Sequence, residues 1–196
     1  PSSFDVPAGD LEARGARAHW LSEQFIAWRA IAGAPPGSRF LLHSSVTADL
    51  KDGGVSGVRN CDAGGGPYEL SRTGDDLTPE LAKLHPYLSG CPLLRVPTGA
   101  DARILCRNQL AIEMQAPSGE AVDCTGVQVG ALLDCLFAYD GPLGCHPVDS
   151  GDPAANGVSL ALWAPTALRV SVTLYNEPRG PALESLPMER KVGASD

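Results

Sequence analysis

Residues 107–129, RNQLAIEMQAPSGEAVDCTGVQV, decide what kind of fold this chain adopts. Leu110, Ile112 and Met114 alternate with Ala111, Glu113 and Gln115. Successive side chains of a strand point to opposite faces, so this period of two marks an extended, half-buried segment. Pro117-Ser118-Gly119-Glu120 carries turn chemistry, and a second extended run continues to Val129. The stretch reads as two strands around a turn.

The same pattern recurs on either side in short runs. RFLLHSSV (39–46), YELSR (68–72) and LLRVP (93–97) are strand candidates. GAPPGS (33–38) is a firm break. KDGGVSGVRNCDAGGGP (51–67) is polar and Gly-rich, a surface loop or hairpin excursion. Two helices are expected. In LTPELAKLHPYL (77–88), Thr78 can cap, Pro79 suits the first turn, Glu80 favours the positive end of the dipole and Pro86 ends the run. ALLDCLFAY (131–139) is amphipathic and is stopped by DGPLG. Periodicity leaves ARAHWLSEQFIAWR (16–29) open, because Leu21, Phe25 and Trp28 fit a helical stripe while Phe25 and Ala27 against Ile26 and Trp28 fit a strand.

Toward the end, GVSLALWAPTALRVSVTLY (157–175) is the most strongly patterned segment. Val158, Leu160 and Leu162 alternate with Ser159, Ala161 and Trp163; after Pro165 the alternation resumes through Leu168, Val170, Val172 and Leu174. It reads as a hairpin of two strands joined at the proline. HPVDSGDPAANG (146–157) before it has the composition of a linker.

Hydrophobic residues make 43% of the 196, enough for a core, whereas aromatics are only 6%. Gly (22) and Pro (17) are abundant but stay below the range of low-complexity chains. Many short elements and turns follow, which favours an all-β or mixed fold over a helical bundle. A net charge of −8 without any Lys/Arg cluster argues against nucleic acid as a partner. No apolar run reaches the roughly 18 residues of a membrane span, and PSSFDVPAGD at the start has neither basic nor apolar leader character. The cysteines, Cys61, Cys91, Cys106, Cys124, Cys135 and Cys145, are never closer than ten residues. That spacing lacks the close pairs of a structural zinc site, and the count is too sparse for a disulfide scaffold. Buried thiols are expected, with a redox pair among Cys124, Cys135 and Cys145 as the sharper alternative.

Catalytic motifs are scarce. GVSGV around Ser56 lacks the surroundings of a nucleophile elbow, and Gly64–Gly66 lacks the Lys-Ser/Thr of a phosphate cradle. Asp75-Asp76 is a carboxylate pair, but in a Gly-Asp-Asp turn it reads as solvated. His19, His43, His85 and His146 show no ligand spacing, so neither a metal nor another cofactor is expected in this segment. Trp20, Trp28 and Trp163 carry the remaining chemistry: sugar rings stack their C–H faces on flat aromatics, which makes the three tryptophans candidate carbohydrate contacts, against the competing reading that scarce tryptophans pack cores.

Two stretches carry a family likeness. AHWLSEQFIAW (18–28) resembles the opening motif of the N-terminal domain in pullulanase-type starch-debranching enzymes. DCTGVQVGALLDCLFAYDGPLG, followed by NGVSLALWAPTALRVSVTLYNEPRGPALESLPM up to residue 188, is similar to the region where plant and green-alga limit dextrinases pass into a family 48 carbohydrate-binding module. The resemblance spans most of 16–190. It implies an all-β fold: a starch-binding-module-like β-sandwich over 1–145, a linker at 146–156, and over 157–196 the first strands of a second, immunoglobulin-like β-sandwich. It also implies that AHWLSEQFIAW is extended. The family cleaves α-1,6-glucosidic branch points in amylopectin, pullulan and limit dextrins, using carboxylates on a (β/α)8 barrel, and the likeness to its plant and green-alga branch implies a chloroplast location. None of those carboxylates, nor the calcium sites of that barrel, can be carried onto a position in this chain. The expected role is therefore noncatalytic, with α-glucan and the barrel as partners. A free-standing carbohydrate-binding protein and a docking domain without glycan affinity are the alternatives.

Overall fold

The computed structural model describes residues 15–59, 66–74, 76–149, 151–152 and 156–191. The chain forms two compact units, one ending at Pro142 and one beginning at Leu143.

The first unit runs β1 (Ala16–Ser22), β2 (Phe25–Trp28), β3 (Arg39–Ser45), β4 (Lys51–Asp52), β5 (Val58–Arg59), β6 (Tyr68–Arg72), α1 (Pro79–Leu84), β7 (Leu93–Arg95), α2 (Ala102–Leu105), β8 (Gln109–Gln115), β9 (Ala121–Gln128) and α3 (Gly130–Leu136). The ambiguous 16–29 segment is extended, a tight hairpin with Trp20 opposite Ile26. β8 and β9 form the expected hairpin, closed by Gly119 at φ 91°. α1 starts where its cap dictates, with the Thr78 hydroxyl accepting from the Leu81 amide. α2 had no sequence expectation; Asp101 caps it by accepting from the Arg103 and Ile104 amides.

The all-β class holds, and the pairing refines it. Seven strands follow one another in the order β1-β2-β7-β6-β3-β8-β9, and β9 returns to β1. The facing sheets of a sandwich are thus joined at both sides into a closed barrel, which leaves these strands without free edges. Every pairing is antiparallel except the closing one, where β1 and β9 run parallel with a register shift between Ala16 and Ala18. Side chains reinforce this seam. The Thr125 hydroxyl accepts from the Arg17 amide at 2.9 Å, the Arg17 guanidinium forks onto Asp123, and Gln128 Nε2 donates to the Ala16 carbonyl at 2.6 Å.

Alternation sorts side chains between the barrel interior and its outside. Ala18, Trp20, Ile26, Trp28, Phe40, Leu42, Leu70, Leu94, Leu110, Ile112 and Met114 fill the interior, and Leu132 of α3 joins them. Two covers lie outside. Leu88 and Cys91 pack on Leu21, Ala27 and Leu93, burying the outer face of β1, β2 and β7 beneath the 77–93 segment. Leu50, with Val58 at its margin, packs on Ala111 and Cys124, burying the outer face of β8 and β9 beneath the 46–59 excursion.

The second unit holds two separate ribbons. β10 (Gly144–Val148) pairs with β11 (Gly157–Ala161), and β12 (Ser171–Tyr175) pairs with β13 (Ala182–Pro187). The hairpin expected across Pro165 does not form, since each of its strands finds a partner outside the 157–175 stretch. His146-Pro147-Val148, expected as the start of a linker, belong to β10. Pro147 misled because it lacks an N–H, but a two-stranded ribbon leaves each strand an open side where none is needed. Arg190 Nη1 donates to the Pro165 carbonyl at 3.2 Å and Nη2 to the Ala167 carbonyl, fastening the turn between the ribbons.

Candidate functional site

The three tryptophans separate by environment. Trp20 is 0% exposed and Trp28 1%, both inside the barrel. Their alternation on β1 and β2 points them inward, so neither ring has a face for a sugar, and both are corrected from candidate contacts to core residues. Trp20 Nε1 donates to the Ser22 carbonyl at 2.8 Å. Trp163 keeps 39% of its surface exposed in the second unit.

An aromatic surface that the sequence reading did not single out lies on the outside of the barrel. Tyr87 sits on a single 3-10 turn, Pro86–Leu88. Pro86 presets the backbone angle, and Leu88, next in line, is buried among Leu21, Ala27 and Leu93, which pins the turn to the barrel. The Leu88 amide donates to the His85 carbonyl, and the Cys91 amide to the Leu88 carbonyl. Arg29 Nη2 donates to the Tyr87 carbonyl at 3.3 Å. Tyr87 itself is 61% exposed. Two imidazoles stand edge-on to it: His19 with centroids 5.6 Å apart at 65°, and His85 at 6.0 Å and 84°. His19 faces this way because it pairs with Ala27 on the outward side of β1. Burial, and then the nearby His85, hold the His19 imidazole below its ordinary pKa. It is therefore neutral at physiological pH, with one ring nitrogen donating and the other accepting. Two of the four histidines scattered along the sequence thus converge on one tyrosine. The available signal was the tyrosine itself, following the His-Pro dipeptide at the end of the expected helix.

The second cluster is buried. Glu113 lies on the outer face of β8, diagonal to His43 on β3, where Leu41 faces Glu113 and His43 faces Ala111. His43 Nε2 is 3.1 Å from Glu113 Oε2. The same carboxylate accepts from the Val58 amide at 2.8 Å and from Gln115 Nε2 at 2.7 Å. Burial pushes the carboxyl up, but His43, the Val58 amide and Gln115 together outweigh it and hold Glu113 below the usual carboxylate value. Parallel clasps tie the rest of the excursion down, with Ser45 Oγ accepting from the Asp49 amide and Gln109 Oε1 from the Leu50 amide. Gly57, at φ 78°, allows the close approach: a Cβ there would lie 2.5 Å from Glu113 Oε1. With its oxygens engaged by the protein and its surface covered, this carboxylate is built to hold a loop in place. Ser56 lies exposed in the turn between β4 and β5. Asp75, Gly64 and Gly65 fall outside the described residues.

Among the described residues no three His, Cys, Asp or Glu side chains gather as a metal site. Cys91, Cys106, Cys135 and Cys145 are free thiols. Of the expected redox set, Cys124 is buried under the excursion, while Cys135 and Cys145 are exposed, one in each unit. Cys61 lies outside the described residues.

The architecture is one also seen in bacterial pullulanases. The crystal structure of apo pullulanase from Klebsiella pneumoniae matches over 90% of this chain and 18% of its own, with TM-score 0.68 at 21% identity. The structure of Klebsiella pneumoniae pullulanase complexed with maltotriose matches with the same TM-score at 22% identity, over 90% of this chain and 15% of its own. Residues 15–134 match the pullulanase N2 domain, and the chain belongs to that family. Pullulanase 1, chloroplastic, of Arabidopsis thaliana is 33% identical over 174 residues, which is 88% of this chain and 16% of the relative. Pullulanase of Klebsiella pneumoniae is 25% identical over 89% of this chain and 15% of its own length. The chain thus spans less than a fifth of the curated relatives it matches.

Proposed function

We propose that this chain is a noncatalytic N-terminal segment of a plastid pullulanase-type enzyme that hydrolyses α-1,6-glucosidic branch points of starch-derived glucans. In this reading it supports the catalytic barrel and contacts α-glucan. The observation that carries it is one of proportion: nearly the whole chain aligns with a chloroplastic pullulanase, yet it accounts for 16% of that protein. The maltotriose complexes of Klebsiella pullulanase support an α-glucan as the ligand class. The first unit then corresponds to the N-terminal domain and the second to the opening strands of a family 48 module, where the half-exposed Trp163 is a candidate glucan contact. Calcium belongs with the barrel rather than with this segment.

Incubated with pullulan, the chain alone is expected to release no reducing sugar, and turnover would overturn the noncatalytic assignment. The parent enzyme without this segment is expected to lose turnover or thermal tolerance; an unaffected enzyme would remove the supporting role. The docking alternative has one observation in its favour, the large apolar side chains exposed in the second unit, including Leu162, Leu168 and Leu183.

A further inference from the structure

The N2-domain assignment does not say where a glucan would touch the barrel, and the tryptophans expected to do so on it are buried. Tyr87, 61% exposed, is a broad aromatic side chain on a backbone that cannot readily move. Its turn is held by Pro86, by the buried Leu88, and by the Arg29 bond to its carbonyl. Presenting a ring from a fixed backbone lowers the entropy lost on binding, and tyrosine has few rotamers to freeze.

The polar neighbours narrow the ligand. His19 and His85 flank the ring edge-on rather than stacking over it, at 65° and 84°. The neutral His19 imidazole offers a donor and an acceptor together. An apolar plate bordered by polar ring nitrogens suits a neutral polyol, whose C–H face covers the ring while its hydroxyls give and take hydrogen bonds.

Resting on the α-glucan reading above, we propose that Tyr87, His19 and His85 form a contact site for an α-1,4-linked glucosyl chain. A glucosyl ring stacks on Tyr87 and its hydroxyls exchange hydrogen bonds with the two imidazoles. The chain is held, not cleaved, at this site.

The test is titration of the 196-residue chain with maltoheptaose by calorimetry, comparing the unsubstituted chain with Y87A, Y87W, H19A and W163A. Because Tyr87 is largely exposed, Y87A is expected to fold, which the far-ultraviolet circular dichroism and melting temperature verify. The expected result is a tenfold or greater loss of affinity for Y87A, a several-fold loss for H19A, and retention in Y87W. Binding that Y87A leaves unchanged overturns this site while leaving the glucan reading standing, and a loss confined to W163A does the same. If the unsubstituted chain fails to bind maltoheptaose, both the site and the glucan contact fall. Unchanged sugar binding in Y87A with weakened association to the catalytic barrel would instead mark the patch as a protein contact.

Discussion

The β8 strand and the β12 strand are written in the same alternating pattern, yet they end in opposite environments. On β8, Leu110, Ile112 and Met114 point into the barrel, while Ala111 and Glu113 on the other face are sealed by the 46–59 excursion. On β12, Leu174 and Tyr175 are both exposed, and Val172 is only half-buried. The pattern sets which side chains share a face; whether that face is buried depends on what the rest of the chain lays over it. In the first unit the cover comes from segments distant in sequence, and each is fastened by polar side chains rather than by apolar contact alone.

The contrast can be broken most directly by truncating one large apolar residue in each unit. Ile112→Ala should cost about 2–5 kcal/mol, because it leaves a cavity in a filled barrel. Leu168→Ala, at 73% exposure, should stay within ~0.5 kcal/mol. Urea unfolding of the two variants measures the difference, and equal costs would mean that the second unit has a core as dependent on packing as the first.

A smaller effect probes the fastening of the excursion. Gly57→Ala places a Cβ against the Glu113 carboxylate at a positive φ, and should cost about 1–3 kcal/mol. Faster hydrogen exchange at the Val58 amide would locate the damage; an amide as protected as before would show that the clasp on Glu113 is not what holds the loop.

A milder loss than that of Gly57→Ala, on the order of 1 kcal/mol, is expected from Glu113→Gln, which keeps the shape but removes the charge. Its signature is in the pH dependence. The folded-state pKa of Glu113 lies below its ordinary value of 4.5. Its stabilisation is therefore fully present above that ordinary value and is lost as pH falls through the folded-state one. The unsubstituted chain and E113Q should differ at neutral pH and converge in acid. Parallel curves through pH 3 would sink the role assigned to the carboxylate.

Much of the barrel was legible in sequence because its signals are local. The alternation of β8 and β9 around the 117–120 turn, the Thr78 cap and the amphipathic run of α3 each lie within a few residues. The polar clasp was not legible, since His43 and Glu113 are seventy positions apart and neither signals the other. Tyr87 was not legible for a related reason: its exposure depends on the buried Leu88 docking on strands distant in sequence, while alternation on β1 and β2 turns Trp20 and Trp28 to the interior. Pairing partners failed where two equally good strands lay side by side. β11 and β12 are adjacent in sequence, and only the register with β10 and β13 shows that they do not pair.

The parallel seam between β1 and β9 also bears on how the chain is made. Arg17 and Thr125 are 108 positions apart, and β9 is the strand that occupies that side of β1. A ribosome adding about 5–20 residues per second leaves the first strand with one side unpaired for roughly 5–20 s before its partner is synthesised. During that interval the open side of β1 is a surface that other nascent chains can pair with. A chaperone that shields extended apolar segments early in synthesis would therefore matter more to this domain than to one built from neighbouring hairpins.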